Sequence, residues 1–137
     1  MSAYAVSRGQ WPAWVMAMPV GIAVAYQASV VVARARAYCD AAWEPQHRFA
    51  HSFEMIVLTG ATALAAVVVA VLARTATVHA PRPVRALAQL VGVLAVAGWF
   101  VWWYVGGQAT PDGYPGDSGL CPGSNVPPWW PSWLPTD

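Results

Sequence analysis

Three long stretches without a charged side chain constrain the fold of this chain more than any other feature. They cover residues 11–33, 55–73 and 86–107. An α-helix rises about 1.5 Å per residue, so roughly 20 apolar residues cross the hydrocarbon core of a bilayer, which is about 30 Å thick. The sequence therefore predicts an all-α integral membrane protein with three transmembrane helices.

The composition excludes an ordinary soluble domain. Only 9% of the 137 residues are charged and 58% are hydrophobic, whereas about 25% of the residues in a typical soluble domain are charged. A net charge of +1 and the lack of a basic patch argue against a nucleic-acid partner. The length predicts one domain, and we expect a three-helix part over residues 1–107 followed by a tail over residues 108–137.

The first apolar stretch is predicted to be a retained helix. A cleaved signal peptide is the alternative, but its apolar region is usually about 7–15 residues long. The possible cleavage sites around Arg34 and Arg36 also contain an unfavourable arginine. Pro19 lies inside the stretch and should kink the helix or end it early.

A stripe of small residues on this first helix predicts close packing against a second helix. Small side chains let two helices approach closely, which matters in lipid because no hydrophobic force drives helices together there. The stripe recurs every four residues and consists of Ala17, Gly21, Ala25 and Ser29. Gln27 is the strongly polar residue of this span, and we expect it to form an interhelical hydrogen bond.

The second helix is predicted to begin before its uncharged stretch. Glu44–Pro45 is a suitable start, because proline fits the first helical turn, where its missing N–H costs nothing. We therefore expect one helix from Glu44 to Ala73 with its first turns at the membrane interface. The connection between the first two spans covers residues 34–53. The next one covers residues 74–85, where two prolines prevent a continuous helix.

Two histidines at the start of the second helix are the clearest candidates for chemistry. His47 and His51 are four residues apart, so their side chains share one helix face. Glu44 precedes His47 by three residues and Glu54 follows His51 by three. Because imidazole and carboxylate groups bind zinc or copper, these four residues form a candidate metal site. A haem is the other cofactor considered.

Other interpretations of the same segment stay open. The side chains could simply form the polar turn of a transmembrane helix at the headgroup level, with Arg48 pairing to Glu44 or to a lipid phosphate. They could instead serve proton transfer or quinone binding. Glu54 borders the uncharged stretch, and an ionisable group at that depth is costly enough to suggest a function. It could also pair with Arg34 or Arg36.

The tail predicts irregular structure with aromatic anchors. Its proline content excludes a helix or a central strand and favours turns and polyproline II. Tryptophan prefers the membrane interface, where its ring is in an apolar layer and its N–H contacts water. Six tryptophans at the end of the third span and in the tail are therefore predicted interface anchors: Trp99, Trp102, Trp103, Trp129, Trp130 and Trp133.

The distribution of arginine predicts the orientation. Three spans place the N-terminus and the second connection on one side, and the first connection and the tail on the other. Arg8, Arg74, Arg82 and Arg85 lie on the first side, and Arg34, Arg36 and Arg48 lie on the second. The positive-inside rule then predicts a cytoplasmic N-terminus and an extracytoplasmic C-terminus in the cell membrane.

The two cysteines fit the same orientation. Cys39 and Cys121 would both lie on the extracytoplasmic side, where the compartment permits a disulfide. Such a bond would tie the tail over the first connection and, by closing a loop of roughly 80 residues, would contribute about 2–4 kcal/mol. Two independent free thiols are the alternative.

The sequence predicts a non-enzymatic role. It contains no hydrolase elbow and no glycine-rich phosphate loop. We expect an accessory subunit or a homo-oligomer that contacts lipid and other membrane chains or copies of itself. The alternative is a metal- or haem-binding redox component that uses His47, His51 and Glu54 with support from Glu44. A second alternative is an oligomeric transporter or pore.

Overall fold

The fold consists of three long helices. In the computed structural model, residues 13–41, 43–108, 118–121 and 125–134 are described. The helices are α1 (Ala13–Cys39), α2 (Pro45–Ala76) and α3 (Arg82–Gln108). The described ranges contain no strand, and each helix is long and apolar enough to span a membrane. The predicted all-α class with three candidate spans is therefore confirmed.

Helix α1 is longer than the span predicted for it. It passes Pro19 without ending and continues through Arg34 to Cys39. It stops where Asp40 adopts a left-handed conformation, with φ of 53°, and the Ala41 N–H donates to the Arg36 carbonyl at 3.0 Å. This is the hydrogen bond of a Schellman motif. The expected connection from residue 34 is wrong for residues 34–39, because arginine side chains reach water from a helix end while the backbone stays helical.

Helix α2 begins at Pro45, as the Glu44–Pro45 pair predicts. Glu44 occupies the N-cap position in an extended conformation. The helix extends past its predicted end to Ala76, and α3 begins soon afterwards at Arg82. The two prolines do separate the helices, but Pro83 lies inside the first turn of α3, a position that tolerates proline.

The connection between α2 and α3 is closed by Arg85. Its guanidinium group donates to the carbonyls of Thr77, Val78 and Ala80 at 3.3, 2.6 and 3.2 Å. The carbonyls that follow a helix C-terminus lack intrahelical donors. Arg85 therefore supplies hydrogen bonds to the connection after α2, in addition to the one that the Ala80 amide donates to the Thr77 carbonyl.

Small side chains fill the interior of the bundle, whereas many large apolar side chains point outward. One buried cluster consists of Ala17, Ala66, Ala70 and Val93. Exposed side chains include Ile56, Leu64, Leu87 and Leu94. An outward apolar surface of this kind is what a bilayer would cover. The three helices thus indicate a multi-pass membrane protein.

The two ends of the bundle differ in chemistry. At one end α1 finishes, α2 starts and α3 finishes, and we call it the disulfide end. A buried cluster at this end joins helix residues to the tail: Ala25, Ala28, Val32, Ala35, Phe100, Tyr104, Val105, Trp130 and Leu134. The opposite end holds the α2–α3 connection with Arg74, Arg82 and Arg85, and we call it the arginine end.

Candidate functional site

The four predicted metal-ligating residues form two separate histidine–carboxylate pairs. His47 Nδ1 lies 3.8 Å from a carboxylate oxygen of Glu44, and both side chains are exposed. His51 Nδ1 lies 4.0 Å from a carboxylate oxygen of Glu54. Each pair joins residues three positions apart on α2. The structure therefore keeps each histidine with its own carboxylate. The His47 pair is exposed, whereas in the second pair His51 is buried and Glu54 is partly exposed.

His51 is the buried member of the two histidines, with 7% of its surface exposed. Its Nε2 lies 3.2 Å from the backbone carbonyl of Ser29 on α1. Because that carbonyl can only accept, Nε2 carries the hydrogen of this bond. The ring also meets the Trp43 indole edge to face, with ring centres 5.6 Å apart. His51 thus links the first turns of α2 to the middle of α1.

This hydrogen bond fixes what the second nitrogen of His51 can do. In neutral imidazole with Nε2 protonated, Nδ1 is an acceptor and suits a protonated Glu54. In imidazolium, Nδ1 is a donor and suits the Glu54 carboxylate. At 4.0 Å the two groups are within ion-pair distance but too far apart for a hydrogen bond.

The described part of the chain contains no group of three or more His, Cys, Asp or Glu side chains placed to hold a metal ion. A closed metal site needs three or four protein ligands. The Nε2 of His51 is already used on the Ser29 carbonyl, whereas His47 faces outward with Glu44. The metal or haem hypothesis stays a prediction for these residues.

Polar side chains of all three helices lie together at the disulfide end, and all of them except the partly exposed Glu54 are buried. We call Ser29, His51, Glu54 and Tyr104 the polar cluster. The Tyr104 hydroxyl lies beside the Ser29 side chain, within electrostatic range of Glu54, although the two hydroxyls do not meet hydrogen-bond geometry. Ser29 Oγ, His51 Nδ1 and the Tyr104 hydroxyl have no hydrogen-bond partner in the structure. A buried polar atom left unpaired costs about 1–3 kcal/mol, so the unpaired atoms of the polar cluster lower the stability that helix packing provides at this end.

The disulfide joins α1 to the tail. Cys39 and Cys121 are bonded, with Cα atoms 5.4 Å apart, so neither cysteine is a free thiol. Cys39 is fully buried, whereas Cys121 is half-buried. The Cys39 Sγ also lies 3.3 Å from the Asn125 carbonyl oxygen, a contact in which a disulfide sulfur has no hydrogen to donate. The bond therefore holds Cys121 of the tail close to the end of α1.

Residues 127–134 of the tail form two successive turns with the same pattern. Residues 127–130 and 131–134 each begin with proline and place tryptophan third and an apolar side chain fourth. The amide of Trp130 donates to Pro127 O at 2.9 Å, and the amide of Leu134 donates to Pro131 O at 3.1 Å. The fourth residues are buried and the third residues are exposed. We call residues 125–134 the tail segment; it has an inward and an outward face.

Five of the six predicted anchor tryptophans are exposed. On α3 these are Trp99, Trp102 and Trp103, and in the tail they are Trp129 and Trp133. Trp130 differs, because it is only 8% exposed and belongs to the buried cluster with Tyr104. It contacts the helices rather than their surroundings, since it is the fourth residue of its turn.

The small-residue stripe of α1 lies on a buried face. Ala17, Gly21, Ala25 and Ser29 are all buried. A Cβ atom at Gly21 would lie 2.9 Å from the Thr62 carbonyl oxygen of α2. The helices approach so closely at this point that only glycine fits.

Two residues important to the packing were not predicted from the sequence. Gln27 is exposed, and it is Gln89 that forms an interhelical hydrogen bond, because its Nε2 donates to the Ala70 carbonyl at 3.2 Å. Tyr104 joins the polar cluster from within an aromatic run. An isolated amide in an uncharged stretch could have pointed to Gln89, but nothing in the run marks Tyr104 as the buried ring.

Comparison of the chain with protein-family models, with curated proteins and with solved structures gave no match in any of the three. The function must therefore be argued from the chain's own residues.

Proposed function

We propose that this chain is a non-enzymatic component of the cell membrane that acts by associating with other membrane chains or with copies of itself. The observation that carries the proposal is an apolar cleft of about 480 Å³ between the outward faces of α1 and α2. Its lining is Val15, Met18, Ile22, Thr59, Gly60, Ala63, Leu64 and Val67. Gly60 has open space where a side chain would be.

The physics of helix association in lipid supports this use of the cleft. Lipid tails are as apolar as leucine, so an apolar face alone gives no reason for two helices to associate. A small residue in a recess allows a second backbone to approach and gain dispersion contacts. The cleft beside Gly60 provides such a recess, and Gly60 belongs to α2, which is long enough to span a membrane.

The proposed orientation has the disulfide end outside the cell and the arginine end in the cytoplasm. A persistent disulfide suits an oxidising compartment. At the arginine end, Arg74, Arg82 and Arg85 have no acidic residue near them in sequence, whereas Asp40, Glu44 and Glu54 accompany the arginines of the disulfide end. Arg8 would add to the cytoplasmic side but lies outside the described residues. Alkaline phosphatase fused after residue 137 should be active, and activity only in a fusion at residue 79 would contradict the orientation.

The association proposal is tested by the size of the purified protein. In mild detergent we expect a species larger than one 14.6 kDa chain, either because a second chain co-purifies or because copies associate. Gly60→Leu fills the recess and should shift the protein to the size of one chain. Gly98→Leu is the matched control, because Gly98 also has open space at its Cβ position but does not line the cleft. A wild-type monomer with no co-purifying chain would contradict the proposal.

A further inference from the structure

The tail segment carries its own backbone structure. Its two turns close on themselves through the Trp130 and Leu134 amides, and prolines at the first position of each turn restrict the unbound chain as well. Hydrogen bonds within the segment therefore close both turns.

Noncovalent contacts hold the tail segment on the bundle, and one part of this contact is unfavourable. Trp130 and Leu134 bury apolar surface against α1 and α3, which favours the closed arrangement. The same contact leaves two polar groups buried without a hydrogen-bond partner, the Trp130 Nε1 and the Tyr104 hydroxyl. Water would form hydrogen bonds with both groups if the tail segment moved away. The free energy gained by burying apolar surface is therefore offset in part by the cost of removing these two polar groups from water.

The two sulfurs differ in access. Cys39 is fully buried, with its sulfur against the Asn125 carbonyl, whereas Cys121 is half-buried next to the exposed Leu120. A reductant approaching from solvent therefore reaches the Cys121 sulfur first.

We propose that the Cys39–Cys121 disulfide is a redox latch that holds the tail segment over the polar cluster, and that reduction by a dithiol releases the tail segment. One thiolate of the dithiol attacks the Cys121 sulfur, the bond to Cys39 breaks, and Cys39 leaves as a thiolate that takes up a proton. The second thiol of the reductant then displaces Cys121 as a thiol. The reductant becomes a disulfide, and two electrons pass to the two cysteines. The latch does not depend on which chain occupies the cleft beside Gly60.

The first test follows the accessibility of Cys39 in the wild-type chain. The protein in nanodiscs is reduced with dithiothreitol, freed of reductant and pulsed with N-ethylmaleimide, and the modification of the Cys39 peptide is measured by mass spectrometry. A Trp130→Ala/Leu134→Ala variant, reduced in the same way, lacks the two large tail side chains of the buried cluster and gives the reference rate for an open tail. We expect Cys39 to be labelled at rates that agree within about threefold in the reduced wild-type chain and in this variant. The reason is that a buried thiol reacts only when the structure around it opens locally.

A second variant keeps the test independent of the reduction step. Cys121→Ser leaves Cys39 as the one thiol of the chain and should show the same fast labelling without reductant. Labelling of Cys39 at least about tenfold slower than in the open-tail variant would overturn the proposal, since the tail segment would then stay in place without its bond. Loss of helical circular dichroism on reduction would overturn it as well, because the helices rather than the tail would have opened.

Discussion

A Cβ atom placed on Gly21 would lie 2.8 Å from the Cα of Ala63. Backbone cannot move aside as a flexible side chain can, so this distance sets how closely α1 and α2 approach. The contact lies in the interface between α1 and α2, and it leads to the first prediction.

Gly21→Ala should destabilise the bundle by about 1–3 kcal/mol, because an added methyl group in a tightly packed interior forces backbone shifts. Unfolding in mixed micelles, followed by circular dichroism as the fraction of dodecyl sulfate increases, measures the change. Gly98→Ala is the control: it has open space at its Cβ position and should gain stability from helix propensity. Equal effects of the two substitutions would show that the α1–α2 approach is looser than described.

The two glutamines within the apolar helices should differ in their effect on stability when they are replaced. Gln89→Met removes the bond to the Ala70 carbonyl and should cost about 0.5–1.5 kcal/mol. Gln27→Met changes an exposed side chain and should leave stability unchanged or raise it, because a thioether is more compatible with lipid than an amide. Unfolding in mixed micelles measures both variants. A larger loss of stability for Gln27→Met than for Gln89→Met would show that the amide that stabilises the bundle lies on α1.

The two histidines provide a similar comparison. His51→Ala removes the bond to the Ser29 carbonyl and the ring contact with Trp43, so we expect a loss of about 1–3 kcal/mol. His47→Ala alters an exposed pair and should stay within about 0.5 kcal/mol. Thermal unfolding in detergent compares them, and equal losses would argue against the inward role of His51.

Metal analysis of the same two variants tests the metal and haem hypothesis. We expect zinc binding, if it is measured by equilibrium dialysis, to be unchanged by His51→Ala, because the Nε2 of His51 is used within the protein. A stoichiometric metal or a Soret band in the purified wild type that disappears in both variants would instead support a shared site.

Arg85→Ala should destabilise the α2–α3 connection more than Arg82→Ala does. Arg85 donates to three backbone carbonyls, and the loss of these bonds should cost about 1–2 kcal/mol. Arg82 is exposed, so its removal should change stability by less than about 0.5 kcal/mol. Both variants lose one positive charge from the same end, so a difference in unfolding cannot come from charge alone. Hydrogen exchange at Val78 and Ala80 provides a local measurement.

The sequence was sufficient to predict the number and class of the elements. Three uncharged stretches of spanning length leave few alternatives to helices, because backbone groups in lipid must be bonded within the segment. The pairing of Cys39 with Cys121 was also predictable, since the two spans between the cysteines bring the chain back to the same end of the bundle.

The rotation of each helix was harder to predict, and the site depends on it. The spans are apolar on every side, so no polar stripe indicates which face is buried. Gln27 and Gln89 therefore could not be ranked from sequence alone, and His47 and His51 could not be separated into an exposed and a buried residue. Trp129 is exposed and Trp130 is buried because they are the third and fourth residues of one turn. A repeat of only four residues is too short to indicate this difference in the sequence.

The disulfide also has a consequence for biosynthesis. Cys39 and Cys121 are separated by 82 positions, and both α2 and α3 lie between them. A ribosome makes the chain from its N-terminus, so the thiol of Cys39 must wait for two further helices to be translated and inserted before its partner exists. Formation of the bond is thus a late step of maturation, and a truncated or wrongly inserted nascent chain would retain a reactive thiol that quality-control machinery could detect.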